Sequence, residues 1–104
     1  MKTCAKAMTT GNVLEKQLAR ALDTRLAVFM AKVKAGTLLA DEMSLNAAAY
    51  MASEIIRPCC CLLCNKDRLK ALLAQTKLCA DDERLRTKLA TLIYDDLARC
   101  NGLG

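Results

Sequence analysis

The stretch Asn12-Val-Leu-Glu-Lys-Gln-Leu-Ala-Arg-Ala-Leu-Asp-Thr-Arg-Leu-Ala-Val-Phe-Met-Ala-Lys-Val-Lys34 decides the fold class. Leu14, Leu18, Leu22, Leu26, Phe29 and Val33 recur at three and four residues and draw one apolar stripe, with Lys16, Arg20 and Asp23 away from it. At 3.6 residues per turn this is one face of an amphipathic helix. Asn12 followed by Glu15 has the spacing of a capping box, Lys32 and Lys34 place cations at the helix end, and Gly36 supplies a stop. The pattern predicts one helix over 12–34, with residues 1–11 as a flexible N-terminal segment and 12–104 as a single helical domain.

Three further helices follow downstream. The second is expected over 38–57, with Thr37 placed to cap it and Pro58 forbidding simple continuation; the alternative is a break near residues 41–44 into two shorter helices. It carries two apolar stripes, Leu38, Leu45, Ala48, Ala52 and Ile55 on one line and Leu39, Met43, Ala47 and Tyr50 on another. Such a helix is either deeply buried or faces two partners. The third runs from Cys59 to Cys79, or in a shorter version from near Asn65, with Leu62, Leu69, Leu72, Leu73 and Thr76 inward. The fourth is capped by Asp81, striped by Leu85, Leu89, Leu92, Ile93, Leu97 and Cys100, and closed by Asn101-Gly102. Short links between helices of about 30 Å favour antiparallel neighbours. The expectation is an all-α fold, either an antiparallel up-down-up-down four-helix bundle or a compact four-to-five-helix globule.

Composition agrees. Hydrophobic residues make up 54% of the 104 positions and aromatics only 3%, so the core must be Leu, Ala, Met, Ile, Val and Cys, a helical palette rather than a sheet palette. The first residues, Met1 to Met8, include lysines but lead into no apolar run of signal-peptide length, and no window is long enough to span a bilayer. A cytoplasmic location without a membrane role is expected. Seven cysteines, an odd number with three consecutive, then read as reduced thiols.

The net charge of +5 invites nucleic acid, yet it is spread as +2 over 1–11, +3 over 12–34, −2 over 37–57, +3 over 58–80 and −1 over 81–104. Basic helices beside acidic ones complement each other internally.

Pro58-Cys-Cys-Cys-Leu-Leu-Cys64 is the most unusual local feature. Cys59, Cys61 and Cys64 have spacings that let thiolates converge on a soft metal or metalloid, but the completing half of a zinc motif is missing and the chain has no histidine. The plainer account treats cysteine as a small hydrophobe, with Cys60, Cys64 and Leu78 on the back of the third helix, where they broaden the buried surface or meet another protomer.

Residues 39–55 resemble a helix-turn-helix unit, with Ala40 at the small interior position, Ser44 at the turn and Leu45 after it. The resemblance covers about one sixth of the chain and implies a DNA-binding regulator reading through Asn46 and Arg57, with Arg20 on a basic helix nearby. Glycine usually stands where Ser44 is, and local charge here is negative, opposite to what phosphate wants.

Catalysis has little to build on. The commonest general base is absent, there is no glycine-rich phosphate loop, and the adjacent Asp95 and Asp96 point different ways on a helix. Asp96 falls within the fourth helix's apolar stripe, as either a buried ion pair or a carboxylate reaching solvent from near the helix end. The sequence therefore points to a non-enzymatic helical protein-protein interaction module, a regulator, adaptor or assembly chaperone, binding itself or another protein and needing no cofactor. Tyr50, Met51, Cys60, Cys64, Leu78 and Tyr94 are the contact residues it singles out.

Overall fold

The computed structural model describes residues 11–59 and 65–100. Five α-helices occupy them: α1 (Gly11–Arg25), α2 (Met30–Ala35), α3 (Glu42–Ile56), α4 (Lys66–Ala74) and α5 (Glu83–Cys100), with no strand among the described residues. Single 3-10 turns lie at Ala27–Phe29 and Arg57–Cys59. No helix among them is long and apolar enough to cross a membrane. Of the two forms that the sequence allows, the chain adopts the compact helical globule.

The expected first helix is broken. Its stripe holds, with Leu18, Leu22, Leu26 and Phe29 buried and Leu14 and Val33 packed against the core at its edges. The backbone between α1 and α2 tightens into the 3-10 turn, where Leu26 sits at φ −94°, ψ 9°. One turn earlier the Thr24 hydroxyl donates to the Arg20 carbonyl (3.1 Å), a back-bond that bends helices. Gly11 and Asn12 already lie within α1, so Asn12 does not cap it.

Gly36 ends α2 as the sequence requires. It adopts φ +72°, its N–H donates to the Val33 carbonyl, and the Thr37 N–H donates to the Lys32 carbonyl, which together make a Schellman motif. Thr37 is thereby taken up in ending α2, and Asp41 starts α3. The Asp41 carboxylate accepts from the Ser44 amide (3.2 Å) and the Ser44 hydroxyl (2.8 Å), and Lys32 Nζ stands 2.8 Å away. Lys32 above all, with Ser44, holds the Asp41 carboxyl at about 2, well below its ordinary value. Leu38 is buried in the turn between, so the linker itself is pinned to the core.

The helix-turn-helix expectation fails here. Residues 42–56 form one unbroken helix, and Ser44 belongs to its first turn rather than to a turn between two helices. The Asp41 cap is the physical reason: it fixes the helix start three residues ahead of Ser44, so no separate recognition helix begins at Asn46.

Asn65 caps α4 by accepting from the Asp67 and Arg68 amides, which realises the shorter version of the third helix. The helix stops at Ala74 because Thr76 offers the backbone another arrangement: its hydroxyl donates to the Leu73 carbonyl (2.7 Å) and accepts from the Cys79 amide (3.3 Å). The Lys77 amide donates to Asp23 of α1 (2.7 Å), tying this turn across the fold. Asp82, one residue later than expected, caps α5 by accepting from the Leu85 amide (2.9 Å). Arg86 reaches back to the Cys79 and Ala80 carbonyls (2.9 Å each) and closes the connection.

The core gathers one stripe from each long helix: Leu22 and Leu26, Leu45 and Ile56, Leu69, Leu72 and Leu73, and Leu85, Leu89, Ile93 and Leu97. Lys70 lies 3.2 Å from Glu83 and Lys66 sits over the Tyr94 ring, so α4 runs antiparallel to α5. Lys70 first and Arg86 second hold the Glu83 carboxyl below the usual range. α3 instead rises alongside α5, with Leu39 beside Arg84 to Thr91, Asn46 and Tyr50 beside Leu92 to Arg99, and Arg57 beside Asp96. Small residues on the buried side of α3, namely Ala48, Ala49, Ala52 and Ser53, let its neighbours approach closely, and the Ser53 hydroxyl is satisfied by the Ala49 carbonyl (2.8 Å).

Candidate functional site

Only one of the two stripes on α3 is needed to close the core. The second points outward, with Met43 84% exposed, Tyr50 54% exposed, Ala47 between them exposed, and Leu39 at 36% just before the helix. Positions 43, 47 and 50 share a face because they are four and three residues apart. An exposed methionine and tyrosine two turns apart, with an alanine between, form a continuous apolar strip and not a scatter of isolated side chains.

α5 supplies the other half of this face. Arg84, Lys88, Thr91, Asp95 and Arg99 follow one another at three- and four-residue spacing along its outer side. Two open depressions run along the seam. One, of about 440 Å³, is lined by Asn46, Ala49, Tyr50, Leu92, Asp95, Asp96 and Arg99; the other, of about 520 Å³, by Leu39, Glu83, Arg84, Thr87, Lys88 and Thr91. The face is thus apolar along α3 and charged along α5, basic at Arg84 and Lys88 and acidic at Asp95.

At the far end of the seam Asp96 forms a part-buried ion pair, between the two outcomes that its place in the stripe allowed. Its side chain is 17% exposed, with Arg57 at 4.0 Å and Arg99 at 3.4 Å. Arg57 Nε and Asp96 Oδ2 have no hydrogen-bond partner among the described residues. Arg99 donates to Asp96 Oδ1, whereas Arg57 stands beyond hydrogen-bonding distance and is held there by coulombic attraction and packing.

The residues singled out in the sequence fare differently. Tyr50 stands on the exposed face, and Asn46 beside it. Met51 and Tyr94 are half-buried and pack against the core, Tyr94 with the Lys66 ammonium 5.4 Å from its ring centroid, in a separate depression with Asn65 and Asp67. Leu78 is a correction: it is 3% exposed and belongs to the core. Projecting a helix through residues 75–79 put it on an outer face, whereas the Thr76 turn swings it inward. Cys60 and Cys64 lie outside the described residues. Met43, Lys88 and Asp95, which shape the face, are not among the contact residues that the sequence singles out; the signal for Met43 is its place two turns before Tyr50 in the second stripe.

Of the residues singled out for nucleic acid, Arg57 is half-buried and engaged by Asp96, Asn46 shares its depression with Asp95, Asp96 and Arg99, and Arg20 is exposed on α1. For metal, Cys59 is buried, Cys61 and Cys64 lie outside the described residues, and no group of three or more Cys, Asp or Glu side chains converges among the described residues. Cys79 is also buried, and burial pushes its thiol up to about 12. A thiol so held carries almost no thiolate at neutral pH and is a core side chain rather than a nucleophile.

Comparison of the chain with protein-family models, with curated proteins and with solved structures finds no match.

Proposed function

We propose that the protein is a helical protein-binding module whose contact surface is the outer face of α3 together with the adjoining side of α5. One observation carries this reading: α3 has two apolar stripes and the fold buries only one, leaving Met43 and Tyr50 in water, Tyr50 at the edge of an open depression. Keeping these side chains exposed contributes nothing to the core, and their burial against another protein surface gains hydrophobic free energy at about 25 cal/mol per Å² removed from water. The charged rim on α5 supplies orientation, and Tyr50 supplies the aromatic anchor that binding surfaces favour. Regulator, adaptor and assembly chaperone all use such a face, and the chain serves as a binding part rather than as an enzyme.

The test places a photo-reactive amino acid at position 43, with position 16 on α1 as an exposed control, and irradiates the protein in the cells that make it. A discrete protein adduct from position 43 and none from position 16 is expected. Equal adduct yields at both positions, or none at position 43, would falsify the reading.

A further inference from the structure

The face pairs two matched spacings at one level. Met43 and Tyr50 are seven residues apart on α3, Lys88 and Asp95 are seven apart on α5, and each interval is two helical turns, about 10 Å. The midpoints lie along one depression, which both Asn46, between the first pair, and Leu92, between the second, help to line. α3 and α5 also run in the same sense, so one operation can reverse both. A surface with an exposed knob and an aromatic-edged groove at equal distances on either side of a midpoint, and a cation and an anion likewise, is complementary to itself under a two-fold rotation.

We propose that the occupant of this face is a second copy of the chain, related by a two-fold axis that crosses α3 and α5 at the level of Asn46 and Leu92. This rests on the reading of the face as a contact surface and names what covers it. Under that operation Met43 of each copy meets the groove edged by the other's Tyr50, a sulfur-aromatic contact, and Lys88 of each copy meets the other's Asp95. The approximately 440 Å³ depression has room for a methionine side chain. Neither Lys88 nor Asp95 has an ion-pair partner among the described residues, and both are exposed, so both are free to reach across. The operation also sets Arg84 opposite Arg99 at the two ends, an unfavourable pair that Asp96 offsets through its contact with Arg99. Steering by the exposed Lys88 and Asp95 charges weakens as salt rises.

Sedimentation velocity on the full chain, with circular dichroism to confirm that each variant keeps its helices, tests the pairing. The expected result is a wild-type dimer, with Met43→Asp weakening it by at least about ten-fold. Lys88→Glu alone and Asp95→Lys alone each set like charges against each other and dimerise poorly. Mixed together they form a heterodimer, because both contacts then join a glutamate or aspartate to a lysine. A wild type that stays monomeric at high micromolar concentration overturns the second copy as occupant while leaving the position-43 crosslink to judge the face itself. A dimer indifferent to Met43→Asp likewise overturns the second copy as occupant and leaves the face to the position-43 crosslink, and a dimer that Met43→Asp dissolves but the mixed charge variants do not restore overturns the two-fold register.

Discussion

On its inner side α3 presents Ala48, Ala52 and Ile56, all sealed from water, whereas its outer side presents Met43, Ala47 and Tyr50 to solvent. Both sides are apolar and both follow helical spacing, so composition does not separate them. Position does: the Asp41 cap and the Lys32 contact fix where α3 begins and how it is turned, and that setting delivers one stripe to the core and leaves the other in solvent. Hydrophobic patterning therefore reports how many surfaces a helix must satisfy, and packing decides which are satisfied within the chain.

The largest effect should come from the inner side. Ile56→Ala removes a fully buried side chain and is expected to cost about 3 kcal/mol, measured by urea denaturation with an unchanged slope. An effect below about 1 kcal/mol would mean that the inner stripe is not tightly packed.

A smaller effect is expected at the start of the helix. The Asp41 carboxyl titrates at about 2 when folded and near the ordinary carboxylate value of about 4 when unfolded. Its contribution to stability is therefore complete above about pH 4 and fades as pH falls toward 2. Asp41→Asn keeps a capping acceptor but removes the charge that faces Lys32. Thermal melts should show the wild type a few degrees more stable than the variant at pH 6, with the gap closing by pH 2. A gap that persists at pH 2 would assign the difference to cap geometry instead of charge.

The smallest effect belongs to the outer side. Met43→Lys should change the stability of the isolated protomer by less than about 0.5 kcal/mol, since nothing in the core loses a contact. A loss comparable to that of Ile56→Ala would mean that the outer stripe serves the fold and would abolish the distinction between the two sides.

Much of this arrangement was legible in the sequence, and the misses share a cause. Gly36, the α5 stripe and the inward set Leu69, Leu72, Leu73 and Thr76 follow from spacing and local chemistry alone. The two stripes on α3 were also visible, though not which of them would stay outside. The break after α1 was hidden because Leu26, Phe29 and Val33 keep helical spacing across a turn that the backbone tightens. Leu78 was misplaced because Thr76 ends the helix through side-chain bonds that compete with the backbone, and because Asp23, more than fifty residues earlier, captures the Lys77 amide. For Asp96 the sequence leaves two outcomes open, and the approach of Arg57 from the turn after α3 adds a second cation to Arg99 on its own helix. Long-range polar contacts of this kind leave no periodic trace.

Cys79 has a practical consequence of its own. Its sulfur is wholly enclosed and stays protonated to about pH 12, so an alkylating reagent can reach it only when the surrounding globule comes apart. The chain thus contains a built-in clock for its own opening: the rate at which that sulfur is consumed, followed by mass spectrometry, counts how often α4 and α5 part company.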